Sequence, residues 1–146
     1  MKAAIIYTSI TGNTDVLAEQ VYKEMYASGI SAELIAIDDF HYDTLTNYDI
    51  VAVGTYTWDN GEIPLEMEEL FTAFETQQVK HISTGIFGTG DSFYPYYCGA
   101  VELFRDMLYV HTDLAVTLKV ELMPQREDYI RVKQFCDRLV RQLVTI

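Results

Sequence analysis

The chain predicts a doubly wound α/β domain: a five-stranded parallel sheet with helices on both faces. Three observations carry that expectation. Short apolar runs recur near residues 2–8, 31–37, 49–54, 83–88 and 115–121, mostly without polar alternation, as strands covered on both faces require. Segments of helical spacing lie between most of them. The turns after the first, third and fourth runs are rich in Gly, Thr, Ser and Asp, and in open parallel sheets ligands bind beyond the carboxyl ends of strands. A length of 146 residues suits one domain, 1–146, with no repeat or linker inside it. Five βα units with right-handed crossovers are too few for an eightfold barrel.

Each element has its own signal. Ala3-Ala4-Ile5-Ile6-Tyr7 reads as the first strand, and Leu17, Val21 and Met25 form the stripe of the helix behind it, with Gly29 as its stop. Met67, Leu70, Phe71 and Phe74 fall at i, i+3, i+4 and i+7, and Val132, Phe135, Leu139 and Leu143 make a similar stripe near the C-terminus. The segment from Asp38 to Asp49 has no such stripe and predicts only a helical turn.

Composition narrows the function. No apolar run reaches the eighteen residues of a membrane span, and Met1-Lys2-Ala3 leads straight into a strand without a secretory signal, so a cytoplasmic location is expected. Cys98 and Cys136 are too far apart for a CxxC motif and too few for a disulfide scaffold, which makes both reduced and structural. His41, His81 and His111 show no ligand spacing, and no metal is expected. The net charge of -12 argues against nucleic acid. Between Lys23 and Lys80 there is no lysine or arginine, while Asp59, Glu62, Glu66, Glu68, Glu69 and Glu75 crowd the end of that interval. Arg126, Arg131, Lys133, Arg138 and Arg141 gather near the C-terminus. Such an acidic end is a solvated surface, or a docking face for basic partners if it surrounds a cofactor.

The turn Thr8, Ser9, Ile10, Thr11, Gly12, Asn13 and Thr14 stands between a strand and a helix. Its hydroxyls, its glycine and the first N–H groups of the helix suit a phosphate, although Thr and Ser also serve as plain helix caps. It lacks the lysine of a P-loop and the three glycines of a dinucleotide fingerprint, so neutral dipoles must hold any anion. A second turn runs from Gly54 through Thr55, Tyr56, Thr57, Trp58, Asp59, Asn60, Gly61 and Glu62 to Pro64. A third runs from Gly88 through Thr89, Gly90, Asp91, Ser92, Phe93 and Tyr94 to Gly99. Trp58 is the single tryptophan and is followed by three turn formers, which favours an aromatic that stacks on a ligand over one that fills a core. No histidine lies in these turns, and no Ser/His/Asp or Cys/His arrangement accompanies them, so acid–base catalysis has no support.

Together the turn Thr-Ser-Ile-Thr-Gly-Asn-Thr, the loop Thr-Tyr-Thr-Trp…Gly-Glu-Ile-Pro and the segment Gly-Thr-Gly-Asp-Ser…Tyr…Tyr-Cys-Gly-Ala-Val resemble the flavodoxins, over the whole chain. The resemblance is to the short type, because nothing interrupts residues 115–121. It implies a flavodoxin-like fold with FMN as cofactor. The first turn would hold the phosphate, and Trp58 and Tyr94 would sandwich the ring, with Phe93 competing for the second face. Asp91 and the backbone of Thr89 and Gly90 would meet the pyrimidine edge, and Thr55, Tyr56 and Thr57 the inner side and ribityl chain. Asp59, Asn60, Gly61, Gly88 and Tyr97 complete the expected cofactor-binding set.

The same resemblance implies a monomeric, low-potential electron carrier, not an enzyme, working between a reductase and acceptor proteins. Its partners would dock transiently through basic faces over Asp59, Glu62, Glu66 and Glu69, with no membrane or nucleic acid involved. A flavodoxin-like protein with a dedicated client, such as an activator of manganese ribonucleotide reductase, or a small flavin reductase is the alternative; such activators have Gly-rich, less acidic flavin loops. A receiver domain would need aspartates where Thr8 and Ser9 stand. Asp59 departs from the family, which has glycine there. Its β-carbon hinders the peptide flip that offers a carbonyl to the flavin N5, with Asn60 expected to take a positive φ. Its charge opposes full reduction by about 1–2 kcal/mol at about 8–10 Å and an effective dielectric near 20.

Overall fold

The winding of the sheet is set by where each apolar run finds cover. The structure is a computed structural model that describes residues 1–58 and 60–144, Val144 by its backbone alone. Strands β1 (Lys2–Tyr7), β2 (Ser31–Ala36), β3 (Ile50–Tyr56), β4 (Ser83–Gly90) and β5 (Asp113–Glu121) pair in parallel in the order β2-β1-β3-β4-β5. Among the described residues the α-helices are α1 (Asn13–Ala27), α2 (Glu68–Thr76), α3 (Gly99–His111) and α4 (Asp128–Val144). The direction of winding reverses between β1 and β3, which puts the predicted ligand position at the carboxyl ends of those two strands.

Successive strand residues point to opposite faces, and on the inner strands β1, β3 and β4 both faces are buried. Ala3 and Ile5 join Leu17, Val21 and Met25 of α1 and Phe135 and Leu139 of α4 on one side. Ala4 and Ile6, with Val51 and Val53 of β3, join Leu70 and Phe74 of α2 and Phe104 of α3 on the other. This two-sided burial is why the strands show no alternation. The predicted stripes bury as expected: Met67, Leu70 and Phe74 are fully enclosed, and Phe71 packs part-buried against them.

The connection between β2 and β3 is helical turn without an α-helix, as expected, in two 3-10 pieces, Ile37–Asp39 and Tyr42–Asn47. Its buried apolar residues, Ile37 and Phe40, then Leu45 and Tyr48, are spaced by three, the period of a 3-10 helix and not of an α-helix. By contrast, β3 and β4 run past their predicted ends to Tyr56 and Gly90, with Thr55 paired to Gly88 and Tyr56 to Thr89. Residues read as turn are therefore ladder, and the cleft is built on the sheet itself. Cys98 and Cys136 are buried and unbridged, as expected, and burial pushes the Cys136 thiol up to about 12.

Candidate functional site

Three chain segments leave the sheet side by side. After β1 the backbone turns at Gly12, whose φ of 94° is left-handed, and α1 begins with the Val16 N–H donating to the Gly12 carbonyl at 3.0 Å. No side chain caps the helix, so its first N–H groups remain available to an anion. Several donors predicted for that anion are already committed. Thr8 donates its N–H to the Gly54 carbonyl at 3.0 Å and its hydroxyl to Glu66 at 2.8 Å. The Gly12 N–H donates to Ser9 Oγ at 3.1 Å, which leaves the Ser9 proton to spare. Thr14 and Thr89 form a buried hydroxyl pair at 2.7 Å that ties the start of α1 to β4; one proton of the pair is left over. Thr11 and Ile10 are exposed and Asn13 is part-exposed.

After β3 the loop closes on itself. The Trp58 N–H donates to the Glu62 carbonyl and the Glu62 N–H to the Trp58 carbonyl, both at 2.8 Å, and Gly61 takes a φ of 88°. Gly61 is the residue that reverses the chain into the bridge with Glu62, and the positive φ expected at Asn60 turns on its bond to Asp59. Asp59 lies outside the described residues. A β-carbon on Gly99 would come within 2.8 Å of the Gly61 Cα and carbonyl oxygen, so this loop rests directly on the start of α3.

After β4, Asp91 organises the third loop: its carboxylate accepts from the Phe93 N–H at 2.9 Å and its carbonyl from the Tyr94 N–H at 3.1 Å. Cys98 sits at a φ of 52° before α3, and burial pushes its thiol up to about 11. Burial, with Cys98 and Glu121 nearby, also pushes Tyr97 up to about 12.

A cleft of about 420 Å³ opens between the second and third loops, lined by Thr57, Trp58, Asn60, Asp91, Tyr94 and Tyr97 among others. Trp58 is 48% exposed beside it and Tyr94 68%, while Phe93, 92% exposed, does not line it. Large exposed aromatics flanking a groove are costly unless something covers them. A larger groove of about 700 Å³ lies along β5 and α4, but it follows the open edge of the sheet, away from the strand ends where the loops converge.

Some predicted residues lie beneath the cleft and not in it. Thr55 is fully buried with its hydroxyl on the Tyr56 carbonyl at 2.7 Å. Thr57 reaches the cleft yet also accepts the Ala100 N–H at 3.2 Å, holding the start of α3. Gly88 is an approach glycine: a β-carbon there would lie 2.3 Å from Val101 and 2.5 Å from the Thr55 carbonyl. Tyr96, part of the cleft lining, was not in the expected set, and neither was Glu66.

Glu66, expected among the acids of a docking face, has its carboxylate engaged within the fold. The oxygen that accepts from Thr8 also accepts from the Tyr56 hydroxyl at 2.7 Å. Burial acts to raise its pKa, but hydrogen bonds from Tyr56, its own N–H and Thr8 outweigh that and hold it below the ordinary value. Burial and the same carboxylate raise Tyr56. Only the presence of an acid was legible at position 66; its two partners, 58 and 10 residues distant, meet it through the fold alone.

The donor set fits a flavin mononucleotide: a cation-free turn of N–H groups and hydroxyls for a phosphate, and an aromatic cleft for a planar ring. The family model described as flavodoxin matches residues 5–111. The chain is 38% identical over 130 residues to "Probable flavodoxin 1" of Bacillus subtilis, covering 87% of this chain and 82% of that one. It is 34% identical over 134 residues to a flavodoxin of Maridesulfovibrio salexigens, covering 88% and 92%. The crystal structure of oxidised Flavodoxin 1 from Bacillus cereus superposes with a TM-score of 0.88 at 30% identity, covering 97% of this chain and 98% of that one. The chain belongs to the flavodoxin family and is of the short type, its cofactor is FMN, and flavodoxins are electron carriers.

Proposed function

We propose that this protein is a low-potential electron carrier that passes electrons from a reductase to acceptor proteins and converts no small substrate of its own. The observation that carries the reading is the pairing of an aromatic cleft at the strand ends with a hydroxyl turn that contains no cation, with no histidine in either. FMN, when bound, supplies the redox chemistry. The protein's residues bind and orient it. Ser9, Thr11, the start of α1 and the proton left over by Thr14 and Thr89 would hold the phosphate. Trp58 and Tyr94 would cover the two faces of the ring, and the backbone from Thr89 to Asp91 would meet its pyrimidine edge. The lining position of Tyr94 supports it over Phe93.

A cytoplasmic, monomeric protein is the matching expectation; among the described residues no helix is long and apolar enough to cross a membrane. Photoreduction of the purified protein, followed over roughly 300–700 nm, tests the reading. Reversible flavin bleaching with two low potentials is expected. A protein that turns over a reduced nicotinamide on its own would be a flavin reductase instead.

A further inference from the structure

We propose that Glu66 is a specificity-setting residue that restrains the affinity of the phosphate turn, holding FMN less tightly over riboflavin than the turn would otherwise allow. The inference rests on the assignment of residues 8–14 as the phosphate turn. Thr8 opens that turn, and neither of its protons is offered to a ligand: the N–H is taken by the Gly54 carbonyl and the hydroxyl by Glu66. The carboxylate accepts the Thr8 and Tyr56 hydroxyls on one oxygen, and a carboxylate has no proton to give back. It therefore removes one donor from a turn that has no lysine or arginine, and it sets a negative charge one hydrogen bond away from the first residue of that turn.

Glu66 also has a supporting role that pulls the other way. It fastens the β1 turn to the end of β3, and through Tyr56, whose ring meets Trp58 edge-on at 6.5 Å, to the ring-stacking loop. A glutamine at this position carries no charge, and with its amide nitrogen turned toward the two hydroxyls it donates to both, which releases the Thr8 proton toward the ligand while the fastening survives.

Apoprotein from the parent and from the variants Glu66→Gln and Thr8→Val/Glu66→Gln is titrated with FMN and with riboflavin by flavin fluorescence, and unfolded in urea without ligand. The parent should bind FMN more tightly than riboflavin; if it does not, the phosphate-turn assignment fails before Glu66 is reached. Glu66→Gln should raise the FMN-to-riboflavin affinity ratio about tenfold, the low end of what one hydrogen bond to a charged group contributes, while the apoprotein itself becomes no more stable. The added Thr8→Val should take back part of that rise. A purely structural Glu66 would lower both affinities together. A parent that discriminates, with a Glu66→Gln ratio unchanged or reduced, or with a rise indifferent to Thr8→Val, overturns the proposal.

Discussion

Single side chains in this site carry two duties at once, and substitutions should separate them. Thr14 is buried against Thr89, whereas Thr11 is exposed. Thr14→Val therefore leaves a buried hydroxyl unpaired and should cost the apoprotein about 1–3 kcal/mol in urea unfolding, while Thr11→Ala should leave apoprotein stability unchanged and weaken FMN selectively. Glu66 offers a pH signature. Its folded pKa lies below the unfolded value, so its contribution is fully present above the ordinary carboxylate range and is lost as pH falls through the folded value. In Glu66→Gln the acid limb of the stability curve should flatten there; equal acid limbs in the two proteins would contradict the geometry. At Asp59, potentiometry should find the second reduction step less negative in Asp59→Asn, which loses the charge, while Asp59→Gly, which also loses the β-carbon that hinders the peptide flip, should in addition make the first step less negative. Identical potentials in all three proteins would dismiss a tuning role.

At the scale of elements, the β-strands, α1, α2 and α4 were legible because each repeats a local rule: continuous apolar residues for two-sided strands, a 3.6-residue stripe for amphipathic helices. The β2–β3 connection was less legible because a spacing of three over two short turns leaves too little periodicity to read. The cleft loops were recognisable by composition, but their mutual contact was not, since nothing local says that Gly61 and Gly99 touch. That contact makes a sharp test. Gly99→Ala places a methyl 2.8 Å from backbone atoms of the Trp58 loop, so loop and helix must part, and the cleft with them. Its FMN affinity should fall together with that for riboflavin, because the ring and not the phosphate is disturbed; a selective loss for FMN would show that the two glycines do not set the cleft.

The whole molecule is polarised. Glu62, Glu68 and Glu69 are exposed on the segment that follows the cleft, while Arg131, Lys133, Arg138 and Arg141 all lie on α4. The summed field should turn the cleft toward a basic partner before contact and raise the encounter rate, with screening set by a Debye length of about 10 Å at 0.1 M salt. Electron transfer from a ferredoxin-type reductase should slow steeply with ionic strength, and Glu62→Lys/Glu69→Lys should lower the rate and flatten that slope. Glu66 belongs outside this count, since its charge is held inward by two hydroxyls. The sequence showed the segregation of charge along the chain, because that is a property of the line itself. It could not show which acids face outward.

Eleven tyrosines and one tryptophan make up the ultraviolet chromophores of the chain, and that tryptophan is Trp58, half in water at the mouth of the cleft. Excitation absorbed by tyrosines elsewhere in so small a protein has one indole to drain into. Its emission should be red-shifted in the apoprotein and extinguished when a flavin lies against it, so that the intrinsic fluorescence of the protein reports occupancy of a single position with no added label.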